Sequence, residues 1–213
     1  MLLIERTVKG FIEETASDSP APGGGSVSAL AGALGAALGC MVFSLTENKK
    51  AYADLDETVR KELSDAASAL ADLKNELTVS IDADTEAFNG FMIALRMPKA
   101  SEEEKAARKR AMQKAAVDSL EVPLKTAELA VEVLRKLPVI AQYGNKNAVS
   151  DAGVAGWMAR GAVEGAILNV RINIPGIDDE TVVNKAEEAI KELAAEAEKL
   201  FEQIRELVDD RLD

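Results

Sequence analysis

Asp84 interrupts an apolar pattern. Leu55, Val59, Leu63, Ala66, Leu70, Leu73, Leu77, Ile81, Phe88, Phe91 and Leu95 recur mostly at spacings of three and four, and the slot between Ile81 and Phe88 holds this carboxylate. An unpaired buried charge is costly. Such a residue is therefore turned to solvent by a bend in the helix, held in a buried salt bridge, or kept close to neutral by a raised pKa, and the third condition suits an acid and base. Asp82, two residues earlier, lies about 200° around a helix and should face elsewhere.

Three other segments carry polar groups in patterns that chemistry could use. The run SDSPAPGGGS stiffens the chain with prolines and then places Gly23, Gly24 and Gly25 before Ser26 at a helix start, where exposed N–H groups favour an anion or polar heterocycle. It reads equally as a tight turn. It is no phosphate loop, because neither Gly-Lys-Ser/Thr nor a preceding strand accompanies it. The run YGNKNAVSD brings Asn145, Ser150 and Asp151 together, although Asn147 or Ser150 can serve simply as an N-cap. Asn169 and Asn173 lie one turn apart in line with Ala162 and Ala166, and amides on such a small-residue face could read a ligand's donors and acceptors. Arg160 and Glu164 are spaced as a surface ion pair.

Histidine is absent from the 213 residues. That excludes Ser-His-Asp and Cys-His nucleophile systems, His-bearing zinc sites and ferritin-like di-iron bundles. Proton transfer is left to carboxylates, lysine, tyrosine or the lone Cys40, which lies in an apolar stretch and reads as a core residue in a reducing, cytoplasmic setting. The net charge of −12 and the lack of a long basic run argue against nucleic-acid or anionic-membrane binding. A local basic mouth around Lys99 and Lys146 remains open to an anionic ligand.

The elements that must position these groups all have helical periodicity, so the expected class is all-α, a multihelical bundle with long helices in one domain over 1–213. Helices are expected over 3–16, over 26–46 with Ser26 or the preceding glycines as cap, and over 54–95. Met97-Pro98 breaks the last of these, and Ser101 with Glu104 forms a capping box for the next, which should kink at Pro123 and end near Leu137. A connector over 138–147, a small-residue helix over 148–173 and a last helix over 179–212 complete the chain. The uncharged stretch 26–46 has the length of a membrane span, but Ala and Gly dominate it and acidic residues precede it, so it reads as a buried helix. Gly32, Gly35 and Gly39 on one face suit close helix packing. Helices about 60 Å long exceed what one small domain needs, which points to a homodimer.

SPAPGGGSVSALAGALGAAL, DADTEAF, MPK with EEEKAAR, VPL, YGNKNAVSDAGVA and NVRIN occur here in the order found in the cyclodeaminase/cyclohydrolase family, which the chain resembles over nearly its whole length. Small departures are Met97, where that family usually has Leu, and Ala21 in the proline-glycine loop. The resemblance implies an all-helical protomer, an intertwined homodimer, a tetrahydrofolate derivative as substrate and no metal or redox cofactor. It also implies closure of 5-formiminotetrahydrofolate to 5,10-methenyltetrahydrofolate with loss of ammonia, or hydrolysis of the methenyl ring to 10-formyltetrahydrofolate. The family's aspartate falls on Asp84, expected as acid and base. Gly23, Gly24, Gly25, Ser26, Asn145, Ser150, Asp151, Asn169 and Asn173 are expected to shape the pocket, with Lys99 meeting the substrate's glutamate carboxylates or standing in solvent. The competing class is a non-catalytic helical scaffold or ligand carrier.

Overall fold

A computed structural model describes residues 2–213, and among them every regular element is a helix. A short 3-10 turn, Leu3–Glu5, precedes α1 (Val8–Thr15), α2 (Gly24–Ser44), α3 (Lys50–Ala53), α4 (Glu57–Leu95), α5 (Glu102–Tyr143), α6 (Val149–Asn173) and α7 (Glu180–Leu212), with 3-10 turns at Lys146–Ala148 and Ile174–Gly176. At about 1.5 Å per residue the 39 residues of α4 and the 42 of α5 run close to 60 Å each. Helices α5 and α6 form the centre, with α2 and α4 on one flank and α7 on the other.

The centre is tight because two small-residue faces meet. On α2 the buried positions Gly25, Ser28, Gly32, Gly35, Gly39 and Val42 alternate at three and four, and on α6 Ala152, Ala155, Ala159, Ala162 and Ala166 do the same. A Cβ on Gly35 would lie 2.9 Å from the Ala155 carbonyl oxygen, one on Gly32 would lie 3.3 Å from the Ala162 Cβ, and one on Gly165 would lie 2.3 Å from Ser28 Oγ. These three contacts climb α2 while descending α6, so the helices are antiparallel. Leu77 against Gly32 and Leu70 against Gly39 set α4 antiparallel to α2 in the same way. Leucines of α4 and α5, among them Leu63, Leu70, Leu120, Leu134 and Leu137, fill the layer around them.

Several boundaries differ from the sequence reading. The expected first helix divides at Thr7, whose hydroxyl accepts the Gly10 N–H at 3.0 Å and caps α1. The helix expected from 54 begins at Glu57, because Asp56 has extended backbone, and a separate turn, α3, precedes it. The 138–147 connector shrinks to Gly144 and Asn145. Helix α5 runs straight through Pro138 to Tyr143, held by the fully buried Ile140 and Ala141, so tertiary packing outweighs the lost helix bond. Of the two caps the sequence offered for α2, the preceding glycines hold the position: Gly23 precedes the helix and Ser26 is its third residue. Neither Asn147 nor Ser150 caps α6: Asn145 Oδ1 accepts the Asn147 N–H at 3.0 Å and caps the 3-10 turn instead. Arg160 pairs with Glu198 on α7 rather than Glu164, and its guanidinium lies 4.9 Å from the Phe201 ring centroid. The Ser101–Glu104 capping box is present as expected.

Helix α2 meets the length and hydropathy criterion for a membrane span, but half of that window is buried inside the chain's own fold. Its remaining face is apolar and outward: Val27, Leu34 and Met41 recur every seven residues, with Leu34 49% exposed.

Candidate active site

The N-terminus of α2 abuts the last third of α4. Gly23 offers no side chain to the free N–H groups of that first turn, and a carboxylate 58 residues away takes the role. Asp84 Oδ2 accepts from the Ser26 N–H at 3.1 Å and from the Ser26 hydroxyl at 3.3 Å, while the same hydroxyl reaches the Ile81 carbonyl oxygen at 2.8 Å. Gly25 makes the approach possible, since a Cβ there would stand 2.0 Å from Asp84 Oδ1. Burial pushes the Asp84 pKa above its ordinary value, and the two bonds from Ser26 oppose that shift. Ser26, and no cation, is therefore what faces the carboxylate among the described residues, which sets aside the buried salt bridge. One oxygen is held and the other is left to exchange a proton. Asp82 points away, as its position on the helix requires, and accepts the Leu3 N–H at 2.6 Å.

Asp84 opens on a cleft of about 390 Å³ lined by Pro20, Ala21, Gly23 and Gly24 of the loop, Phe88 and Phe91 of α4, Ala116 and Ser119 of α5, and Asn169, Ile172 and Asn173 of α6. Aromatic and aliphatic surfaces form its walls, with a few polar groups converging on the carboxylate, the usual make-up of a small-molecule site. The Ala21–Pro22 peptide bond at its edge is cis.

The two amides are fixed by carbonyls. Asn169 Nδ2 donates to the Gly165 carbonyl oxygen at 2.8 Å and Asn173 Nδ2 to that of Ser119 at 2.7 Å. Because only an amide nitrogen can bond to a carbonyl oxygen, both Oδ1 atoms are left as acceptors for ligand N–H groups. The Ser119 carbonyl is available for a reason legible in the chain. Its helix partner would be the N–H of residue 123, which is proline and has none. Gly24 lets Asn169 close in, a Cβ there lying 3.0 Å from Nδ2.

The structure thus brings Asp84, Gly23, Gly24, Gly25, Ser26, Asn169 and Asn173 together. It does not bring Asn145, Ser150 and Asp151 to them within one chain. Asn145 Nδ2 donates to the Leu45 carbonyl oxygen at 3.0 Å, at the far end of the 21-residue α2, roughly 30 Å from Gly24. Ser150 and Asp151 start α6 at that same end, and Ser150 borders a surface depression with Trp157 and Phe201. Lys99 lines a second cleft, with Lys105, Arg108, Lys109, Met112 and Gln113. Sequence reasoning missed Phe88 and Phe91 as pocket walls, taking the stripe beyond Asp84 for core; both share the carboxylate's face. It also missed Ser119, which Pro123 signals.

An all-helical chain with a carboxylate of raised pKa, amide acceptors and aromatic walls at one cleft has the make-up of an enzyme's small-molecule site. The chain belongs to the formiminotransferase-cyclodeaminase family, whose model matches residues 7–210. It is 37% identical over 207 residues to a methenyltetrahydrofolate cyclohydrolase of Methylorubrum extorquens, covering 97% of this chain and 98% of that protein. It is 35% identical over 195 residues to the formimidoyltransferase-cyclodeaminase of Gallus gallus, covering 92% of this chain but 35% of that longer protein. A crystal structure of formiminotetrahydrofolate cyclodeaminase from Thermotoga maritima superposes with a TM-score of 0.84 at 28% identity, covering 98% of both chains.

Proposed function

We propose that this chain is a folate one-carbon enzyme that closes 5-formiminotetrahydrofolate to 5,10-methenyltetrahydrofolate with release of ammonia, Asp84 being its acid and base. One observation carries the reading: Ser26 holds one oxygen of a half-buried carboxylate whose pKa is raised, and the other lies beside a cleft that offers amide acceptors to a pterin's N–H donors. In the reaction N10 attacks the carbon of the protonated formimino group. Asp84 Oδ1 takes the proton that N10 sheds and returns it to the amino nitrogen, which leaves as ammonia. No metal or redox partner is required by these steps. The second reading is hydrolysis of the methenyl ring to 10-formyltetrahydrofolate, favoured by the name of the relative aligned along nearly its full length. There Asp84 accepts a proton from water attacking the methenyl carbon and hands it to N5 as that bond breaks, the carbinol hydroxyl losing its proton to solvent as the formyl carbonyl forms. The negative charge of Asp84 also stabilises the cationic substrate.

The assembly we infer is a homodimer. Helix α1 buries none of its residues, with Val8 79% exposed, and the outward residues Val27, Leu34 and Met41 of α2 and Leu168 and Ile172 of α6 form an uncapped apolar face. An isologous pairing with α2 antiparallel to its copy would carry the 145–151 end of one chain to the Gly24 end of the other. That arrangement accounts for Asn145, Ser150 and Asp151 as pocket residues despite their distance from Asp84.

Assays with 5-formiminotetrahydrofolate and, separately, 5,10-methenyltetrahydrofolate, following the methenyl chromophore and ammonia, distinguish the two reactions. Asp84→Asn should lower the rate by roughly 10²- to 10⁴-fold with helicity intact. Retention of more than about a tenth of the rate contradicts the assignment. Turnover of neither compound by the wild type, with folate binding retained, leaves a carrier.

A further inference from the structure

Of the segments that carry the family resemblance, VPL at 122–124 contributes no side chain to the lining of the Asp84 cleft. Its Pro123 is buried halfway along the 42-residue α5. A proline inside a helix is unfavourable, because the bond from its own nitrogen to the carbonyl four residues back is lost and its ring presses on that same oxygen. Here that oxygen belongs to Ser119, a residue of the cleft wall. It has found another donor: Asn173 Nδ2, 54 residues along the chain, bonds to it at 2.7 Å, at the short end of the range for N–H···O. Pro138 in the same helix supplies the comparison. It frees the Leu134 carbonyl in the same way, and among the described residues no side chain donates to that oxygen.

The two amides of the cleft differ in what holds them. Asn169 bonds at 2.8 Å to Gly165, one turn back on its own helix, so a regular α6 suffices to fix it. Asn173 is the last residue of α6, where the chain passes into the 3-10 turn Ile174–Gly176, and its amide is held from a different helix. Released from Ser119, that amide would turn about its soft terminal torsion. A turned amide offers the cleft donors where it now offers an acceptor.

We propose that Pro123 is a positioning residue for the substrate ring: lacking a helix donor, it leaves the Ser119 carbonyl to Asn173, which fixes Asn173 Oδ1 as an acceptor and makes the cleft select rings with an N–H edge. The assignment rests on the folate reading above and deepens it, since the 2-amino and N3–H groups of a pterin form such an edge. Pro123 touches no ligand itself. Restoring its missing N–H therefore acts on how tightly the ring is bound, before and during reaction alike, and leaves the proton transfer at Asp84 untouched.

The test puts that N–H back. Pro123→Val restores the donor and keeps most of the buried volume, and Pro123→Ala restores it with a smaller side chain. With 5-formiminotetrahydrofolate both variants should raise KM by about threefold to tenfold at unchanged kcat, the effect of one lost hydrogen bond, and Pro123→Val should melt no lower than the wild type. Asn173→Ala should raise KM as much, and adding Pro123→Val to it should raise KM no further, because the proline acts through that amide. Pro138→Val, which restores a donor elsewhere in α5, should leave KM as it is. In NMR spectra the Asn173 side-chain amide, identified by its loss in Asn173→Ala, should shift in Pro123→Val and stay in place in Pro138→Val. A KM change below about threefold in Pro123→Val, effects that add to those of Asn173→Ala, or an equal rise in Pro138→Val overturns the positioning role and leaves the proposed reaction standing. A wild type that converts neither 5-formiminotetrahydrofolate nor 5,10-methenyltetrahydrofolate overturns the folate reading instead. The amide signal then decides the link from Pro123 to Asn173 by itself, and one that Pro123→Val leaves unmoved overturns it.

Discussion

Asp84 works against its own folding energy. Its pKa is raised in the folded state, so the protein binds that proton more tightly folded than unfolded, and the stability it contributes is present below the ordinary carboxylate pKa and lost as pH rises through the raised value. Asp84→Asn removes this loss. The variant should therefore be as stable as the wild type or more so at neutral pH in thermal melts, even as its turnover collapses, and the wild-type kcat/KM should rise with pH through an apparent pKa above the usual carboxylate range. Gly25 gives an independent lever on the same group. Alanine suits a helix better than glycine, yet its Cβ would sit 2.0 Å from Asp84 Oδ1, so the flexible carboxylate must swing out of place. Gly25→Ala should leave circular dichroism unchanged and cost at least about tenfold in rate, with a normal rate showing that the carboxylate position is unimportant. At this scale the sequence was informative about Asp84, because a charge in an apolar stripe stands out by type alone. It was blind to Ser26 as its partner, because a serine three residues into a helix looks like any other small residue until a distant helix arrives.

Helices were legible where capping and periodicity agreed, as at Ser101–Glu104, and across α6 by periodicity alone, its expected caps being absent. The errors lie at Pro138 and at Thr7: burial carried α5 through a residue that local chemistry reads as a stop, and a local cap ended a pattern that periodicity alone would extend. Gly32, Gly35 and Gly39 were rightly read as a packing face, though not their partner. Gly35 is the tightest test of that face, because the atoms a Cβ would meet are backbone, the Ala155 carbonyl oxygen at 2.9 Å and the Ala159 nitrogen at 3.2 Å, which cannot rotate away. Gly35→Ala should destabilise by about 1–3 kcal/mol. That should lower Tm by roughly 5 °C, and an unchanged Tm would mean that α2 and α6 can slide apart at no cost.

Over the whole molecule the sequence announced long helices and a net negative charge, but not where the motif-bearing segments would lie. Linear order placed YGNKNAVSD near NVRIN, and the antiparallel run of α6 along α2 sends the first to one end of the bundle and the second to the other. Two stretches 18 residues apart lie too far from each other to share a pocket when an unbroken α-helix joins them. The proposed dimer would restore their proximity, and it is open to measurement. Leu34→Glu, on the middle of the outward face of α2, should convert the protein to a monomer in light scattering and reduce turnover with it. A dimer that persists would place the interface elsewhere.

The tie between Ser26 and Asp84 also bears on the order in which the molecule assembles. An isolated α2 is capped by nothing of its own, and the carboxylate that closes its first turn arrives only when α4, 58 residues along the chain, has docked. Helical content can form locally and early, whereas this junction waits on a non-local encounter. The Ser26–Asp84 junction is thus among the last parts of the chain to form, and a chain that has regained its helices after denaturation has not, on that account alone, regained the proposed site.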